Sequence, residues 1–220
     1  DITLKNNGTF TIKPGGVFKI SSNAIVGPVG SQTVTVENNG TFETGDQHGF
    51  SGTNETSIDV GIETINLQNG STVGYSRGGN QVITNQIDIG QGEDGNYYNL
   101  KISNSGIKTA PLKTVVKNIT SVVDAAELLV PATGNIVLPN EFHALNGVQV
   151  DALATFRLAN NANLFQDATA SNTGNVIAER NVIFSAGRQQ YNYLSSPVKN
   201  LNLKDIYKDG SGNAVTVPFV

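Results

Sequence analysis

Eighteen acidic side chains, fourteen basic ones and two histidines carry the charged chemistry of this 220-residue chain, and they are spread along it instead of gathered. Hydrolysis of a glycosidic bond commonly uses two carboxylates at a fixed separation. Asp46, Asp59, Glu63, Asp88, Glu93 and Asp94 are the candidates, but they fall at presumed corners, where a solvated turn residue is the plainer reading. A polysaccharide lyase would set an Arg or Lys base beside acidic calcium ligands. Arg77 lies near Asp88 in sequence only. His48 follows Asp46, and His143 stands in Glu141-Phe142-His143-Ala144-Leu145, 95 residues further on. A general base needs a carboxylate or nucleophile beside it, so His48 is expected in an exposed loop and His143 packing or capping a turn. Calcium wants six to eight oxygens. Two stretches offer them: Asp88 to Asn96, and Asp205 to Asn213, with Asp205, Asp209 and Asn213 as the candidate ligands of the second. Neither has the spacing of an EF-hand loop, and a Gly-rich turn accounts for Asp209-Gly210 without an ion. Calcium is therefore the single cofactor left open. Tyr75, Tyr97 and Tyr98, with Asn and Gln nearby, are the candidate ligand-binding residues, a stacking platform for sugar rings. Against that stands inward packing of Tyr98 beside Leu100 and Ile102.

Composition narrows the partners. A formal charge of −4 without a Lys/Arg cluster lacks the footprint needed for nucleic acid. No apolar run reaches the roughly 20 residues of a membrane-spanning helix, so direct membrane insertion is not expected. Zero Cys excludes disulfides, thiol catalysis and thiolate metal sites. The chain contains no Met and opens in mid-pattern at Asp1, so it is expected to be a processed product or an excised fragment. Gly90-Gln91-Gly92-Glu93-Asp94-Gly95 looks like a dinucleotide fingerprint, but no helix pattern follows it, and it reads as a loop. The sequons at Asn7, Asn39, Asn54, Asn69 and Asn118 read as corners.

These residues must be held by strands. Asn and Gly, 27 and 24 of each, make up almost a quarter of the chain, which suits many tight corners. Ile2-Thr3-Leu4-Lys5-Asn6-Asn7-Gly8-Thr9-Phe10 recurs 32 residues later as Val34-Thr35-Val36-Glu37-Asn38-Asn39-Gly40-Thr41-Phe42. A degenerate copy follows at Ile65 to Val73, and another at Val148 to Phe156. Each pairs an alternating strand with a turn and an aromatic re-entry, so one structural unit repeats. Matching letters are expected at the same corner of a stacked cross-section. Period-two alternation continues in Phe18 and Ile20, Ile58 and Val60, Ile65 and Leu67, with turns too close together for crossover helices. A sandwich has no reason to reuse one unit at a set offset.

Further strands are expected near Val115 to Ile119, Glu127 to Val130 and Ile136 to Leu138. Ser121 to Val130 could pass for a helix on propensity, but Pro131 and β-rich neighbours favour a strand. Coils of roughly 20 to 30 residues over the first 175 would give about six to eight turns and a rod of 30 to 40 Å. Asn side chains at equivalent corners are expected to bond from coil to coil. After Gly174 the texture changes: Val176 to Phe184 and Tyr191 to Leu194 read as a hairpin. The organisation expected is a parallel β-helix over 1–175, and over 176–220 a β-rich cap or the beginning of a following β domain.

The run Gly74-Tyr75-Ser76-Arg77-Gly78-Gly79-Asn80-Gln81-Val82-Ile83, followed by Tyr97-Tyr98-Asn99-Leu100-Lys101-Ile102-Ser103-Asn104-Ser105-Gly106-Ile107-Lys108-Thr109, resembles a recurring unit of large surface and secreted proteins of the Bacteroidota. Arg180 to Val198, with Tyr193-Leu194-Ser195-Ser196-Pro197-Val198, is similar to a block that often follows it. The resemblance implies an all-β fold, a right-handed parallel β-helix, export by the type IX secretion system, and a sorting domain beyond Val220.

The expectation is a non-enzymatic, extracellular, adhesin-like module carried across the outer membrane by that machinery, with a polysaccharide or another cell-surface ligand as partner. The competing class is a carbohydrate-active enzyme, a polysaccharide lyase or glycosidase on the same scaffold. Convergent carboxylates in a groove would separate them.

Overall fold

The computed structural model describes residues 1–84, 96–132 and 139–179. The chain divides into two compact units, Asp1–Arg180 and Asn181–Val220, and the described residues all belong to the first. That unit is a parallel β-solenoid, and the described residues contain no helix.

Each pass of the chain lays strands on three faces. Face I stacks Val17–Ile20, Thr41–Thr44, Thr72–Tyr75, Asn99–Ile102, Ile119–Val122 and Gly147–Val150 in that order. Face II follows it in the chain and stacks Gln81–Val82, Ser105–Thr109, Ala125–Val130, Thr155–Leu158 and Val176–Ala178. In the first turns its place in the chain is taken by the pair Ile2–Thr3 and Ile25–Val26. Face III leads back into face I through two sheets. The first holds Thr9–Ile12, Gly30–Val36 and Ile62–Leu67; the second holds Asn96–Tyr97, Lys113–Val116, Glu141–Ala144 and Asn163–Phe165. Every pairing between these strands is parallel, because a coil returns the chain to its starting face before it lays the next strand.

Along face I, Val17 pairs with Thr41, Thr41 with Thr72, Thr72 with Asn99, Leu100 with Thr120 and Ile119 with Gly147, so a turn takes between 20 and 31 residues. Among the described residues the six strands of this face enclose five turns, against the six to eight expected. At about 4.8 Å per level this sheet rises about 24 Å.

Alternation puts two columns of face I inside: Phe18, Phe42, Val73, Leu100, Thr120, Val148, and Ile20, Thr44, Tyr75, Ile102, Val122, Val150. Phe42, Tyr75, Ile102 and Val122 are fully buried. A buried side chain of this size contributes about 1.5–3 kcal/mol. Phe10, Phe18, Phe42 and Phe50 run edge to face through the early turns, with successive centroids 4.8, 5.3 and 4.9 Å apart. Each such pair adds about 0.5–1.5 kcal/mol.

The corner from face III to face I is built from left-handed residues: Gly15, Asn39 and Gly70 have φ of 74°, 60° and 90°. They stack, Gly15 N donating to the Asn39 carbonyl at 3.0 Å and Asn39 N to the Gly70 carbonyl at 3.2 Å. At 70 a side chain is doubly disfavoured, by the φ of 90° and because a Cβ there would lie 1.8 Å from Asn38 Oδ1, which would have to move. Further along, the expected amide ladder is present. Asn118 Nδ2 donates to Asn99 Oδ1 at 2.8 Å, and Asn146 Nδ2 to Asn118 Oδ1 at 2.7 Å.

The internal repeat works differently from its expected role. Phe10 pairs with Val34 on face III, whereas Phe42 pairs with Phe18 on face I. Copies two and three do stack, Val34 on Ile65 and Thr41 on Thr72. The first copy turns onto face III, and the fourth, with Val148 on face I and Phe156 on face II, turns the opposite edge. What repeats is a corner, and the fold uses it at all three edges.

Smaller departures have local causes. Val115 to Ile119 is not one strand, since the chain turns at Lys117 and Asn118. Ser121 to Val130 is extended, interrupted by Asp124 at φ 59°. Ile58 is fully buried but Val60 is 56% exposed, because the chain turns between Asp59 and Ile62. Val176–Ala178 pairs with Thr155–Leu158, so the stack runs on beyond 175. Ile136 to Leu138, and all of the expected hairpin over 176–194 from Arg180 onward, lie outside the described residues.

Candidate functional site

The stretch from Gly74 to Thr109, the most distinctive in the sequence, turns its polar chemistry inward. On face II, Lys108 stacks between Gln81 and Leu128, with Phe156 beyond, and alternation therefore places Lys108 in the interior. It is 0% exposed. Its ammonium donates to the carbonyls of Arg77 at 2.7 Å, Gly79 at 2.9 Å and Ser105. Three N–H groups thus meet three oxygens, which is how a buried charge is tolerated. Burial, and then the neighbouring Arg77 guanidinium, push its pKa down to about 8, so it stays largely protonated at neutral pH.

Gln81 extends the network, with Nε2 donating to the Thr44 carbonyl at 3.0 Å and the Asp46 carbonyl at 2.7 Å. Its Oε1 accepts from Arg77 N at 3.3 Å. Asn80 Oδ1 accepts from Ile107 N at 3.1 Å. The Tyr75 and Tyr97 hydroxyls meet at 2.7 Å, and Thr84 N donates to Tyr75 Oη at 3.1 Å. Burial raises both phenols, that of Tyr97 well above its usual value. Each of these groups ties one coil to another.

Outward columns carry complementary charge. On face I, Glu43 lies between Lys19, at 2.7 Å, and Lys101, at 3.8 Å. Gly74 intervenes in that column, and the absence of its side chain matters, since a Cβ there would lie 2.9 Å from Glu43 Cγ. On face II, Arg157 Nε donates to Glu127 Oε1 at 2.7 Å and Nη1 to Glu179 at 3.4 Å; the bond to Glu127 is the main cause of its raised pKa. On face III, His143 Nε2 and Glu141 Oε2 are 2.9 Å apart, and the imidazole stacks on Phe165 with centroids 4.6 Å apart and planes 23° apart.

The residues singled out in the sequence fall as follows. Tyr75 and Tyr97 are fully buried, so their rings offer no face to a sugar. Tyr98 is half-buried; Tyr97, not Tyr98, packs inward beside Leu100 and Ile102. Asp46 Oδ1 accepts from His48 N at 2.8 Å, and Asp59 Oδ1 from Gly61 N at 2.6 Å, both serving turns. His48 lies 3.3 Å from Asp46 and 3.7 Å from Glu55. His143 stands on a strand and packs by stacking on Phe165, the first of its two expected roles; it caps no turn among the described residues. Glu63 is exposed. Asp88, Glu93 and Asp94, the loop Gly90 to Gly95, and the calcium candidates Asp205, Asp209 and Asn213 lie outside the described residues. Among the described residues no three His, Asp or Glu side chains come together as a metal site would require.

Where face I turns into face II, the early coils leave an open cleft of about 540 Å³, lined by Lys19, Ser21, Gly45, Ser76, Arg77 and Gly78. Sequence reading singled out only Arg77, and for a different role. Lys19, Gly45 and Arg77 come from three successive coils, and only the strand register reveals that they meet.

A stack of parallel coils with its polar signature bonded internally defines a β-solenoid repeat protein. Residues 100–215, more than half of the chain, match the family described as a domain of unknown function, DUF8693, and the chain belongs to that family. No curated protein and no solved structure matches it.

Proposed function

We propose that this chain is a non-enzymatic, adhesin-like solenoid module that works at the cell surface or after secretion, binding a polysaccharide or another surface ligand through its outward columns. The observation that carries the reading is the inward bonding of the motif from Tyr75 to Lys108. Residues whose types could serve catalysis, Lys108 and the Tyr75–Tyr97 pair, are enclosed and joined to neighbouring coils. The described carboxylates Glu43, Glu127 and Glu141 pair with cations or histidine, and Asp46 and Asp59 with backbone N–H groups. A rigid scaffold of this kind presents side chains at fixed spacings of about 4.8 Å along each column. Support for export by the type IX machinery comes from the resemblance of Gly74 to Thr109 and Arg180 to Val198 to secreted Bacteroidota proteins.

The test is a panel of immobilised polysaccharides, scored for retention of the purified protein and for release of reducing or unsaturated ends. Retention without release is expected. Release that disappears in Arg77→Gln or Asp88→Asn would replace the module with an enzyme. Location is checked on cells of the source organism by protease accessibility of the intact surface, and a wholly protected protein would refute it.

A further inference from the structure

Resting on the binding-module reading, we propose that the cleft between faces I and II is a site for an acidic sugar, with Arg77 gripping the carboxylate and Lys19, Ser21 and Ser76 meeting its neighbouring oxygens.

The charge balance there favours an anion. Among the described residues the carboxylate beside the cleft is Glu43, which is 9% exposed at its side chain and shared by Lys19 and Lys101. Asp46 is turned to His48 N, and Asp124 accepts from Asn104 N at 2.8 Å. Arg77 has no carboxylate partner among the described residues. Its one side-chain bond among the described residues is a long one, Nη1 to the Gly45 carbonyl at 3.4 Å. Most of the guanidinium's five donors are therefore unused by the described residues, and their fork matches a carboxylate in bidentate geometry.

Shape and lining favour a sugar over a peptide. About 540 Å³ falls within the range of small-ligand sites. The side chains that line it are two hydroxyls, two cations and Ile20, set between stretches of glycine backbone, so polar and apolar surface are both on offer. A peptide would want side-chain pockets or a free strand edge, whereas a hydroxyl-rich ring wants donors and acceptors such as Ser21 and Ser76. Beneath the cleft, the Arg77 carbonyl holds the Lys108 ammonium while the Arg77 guanidinium repels it. A bound anion relieves that repulsion, so occupancy is coupled to the protonation of Lys108.

The experiment is calorimetric titration of the full chain with tetragalacturonate, beside maltotetraose, tetraglutamate and sodium acetate. Binding of tetragalacturonate is expected, at least tenfold weaker in Arg77→Gln, partly weakened in Arg77→Lys, unchanged in Lys117→Gln, and reduced by added salt. The Lys108 Cε resonance should titrate at higher pH in the complex. Equal or tighter binding of tetraglutamate would overturn the sugar class, and acetate binding as well as the oligomer would reduce the site to an isolated carboxylate. Absence of tetragalacturonate binding, or binding indifferent to Arg77, would overturn the site. Retention on a neutral polysaccharide in that case leaves the module reading standing, while cleavage of any glycan overturns the module reading itself.

Discussion

Replacing Lys108 with methionine keeps most of its volume while removing the ammonium from its cage. The Arg77 and Ser105 carbonyls retain a second donor, Gly79 N, at 3.1 and 3.0 Å, but the Gly79 carbonyl loses the bond that Lys108 supplied at 2.9 Å. An orphaned acceptor costs about 1–3 kcal/mol, and each charge-assisted bond lost from the other two adds to it. Release of a buried charge from its desolvation penalty offsets part of this. The net expectation is a loss of about 2–3 kcal/mol at pH 7, or about 5–10 °C in Tm for a chain of this size. Lys5→Met, on an exposed residue, should change stability by under about 0.5 kcal/mol. The pH dependence supplies a second reading. Because the folded pKa is lowered to about 8 from 10.5, the unfolded chain holds the extra proton between those values. Stability from this group is therefore fully present above pH 10.5 and is lost as pH falls toward 8, a span worth about 3 kcal/mol. The gap between parent and Lys108→Met, measured by denaturant titration across pH 7 to 10.5, should widen with pH. A variant as stable as Lys5→Met, with a gap that is flat in pH, would refute the buried-cation account.

Gly70→Ala must strain a φ of 90° and displace Asn38, and should cost about 2–4 kcal/mol. Gly15→Ala meets no atom within 4 Å and should cost about 1 kcal/mol from its φ of 74° alone; denaturant midpoints compare the two. Asn118→Ala breaks both rungs of the amide ladder and should lose about 1–2 kcal/mol in thermal melts. Tyr75 and Tyr97 should ionise above the usual tyrosine range in an alkaline absorbance titration. Since their folded pKa values are raised, the stability they contribute is complete below pH 10 and declines as pH climbs past it.

Much of the scaffold was legible because period-two alternation and corner residues are local signals. Phe18, Val34 and Phe42 alternate in the sequence as they do on the faces, and the Asn-Gly pairs at 39–40 and 69–70 mark real corners. The turn count and the copy-to-copy register were not legible, since coils of 20 to 31 residues destroy a constant period. One corner grammar serving three edges made Phe10 and Phe42 look equivalent when their neighbours differ. Lys108 was misleading in another way: a lysine in a strand is ordinarily placed on the solvent side. Its phase with Leu128, together with the glycines at 78, 79 and 106, was the available clue. The cleft could not be foreseen, because Lys19, Gly45 and Arg77 are brought together only by stacking.

Unequal coil length has a consequence for how such a chain can diversify. Between Thr44 and Ile62 the excursion is long, and between Ile102 and Lys113 it is short, yet face I accepts both without a break in its ladder. Enlarging an outer loop costs only local closure entropy, which grows slowly with length. New surface can thus be grafted at an edge while the levels above and below stay as they were.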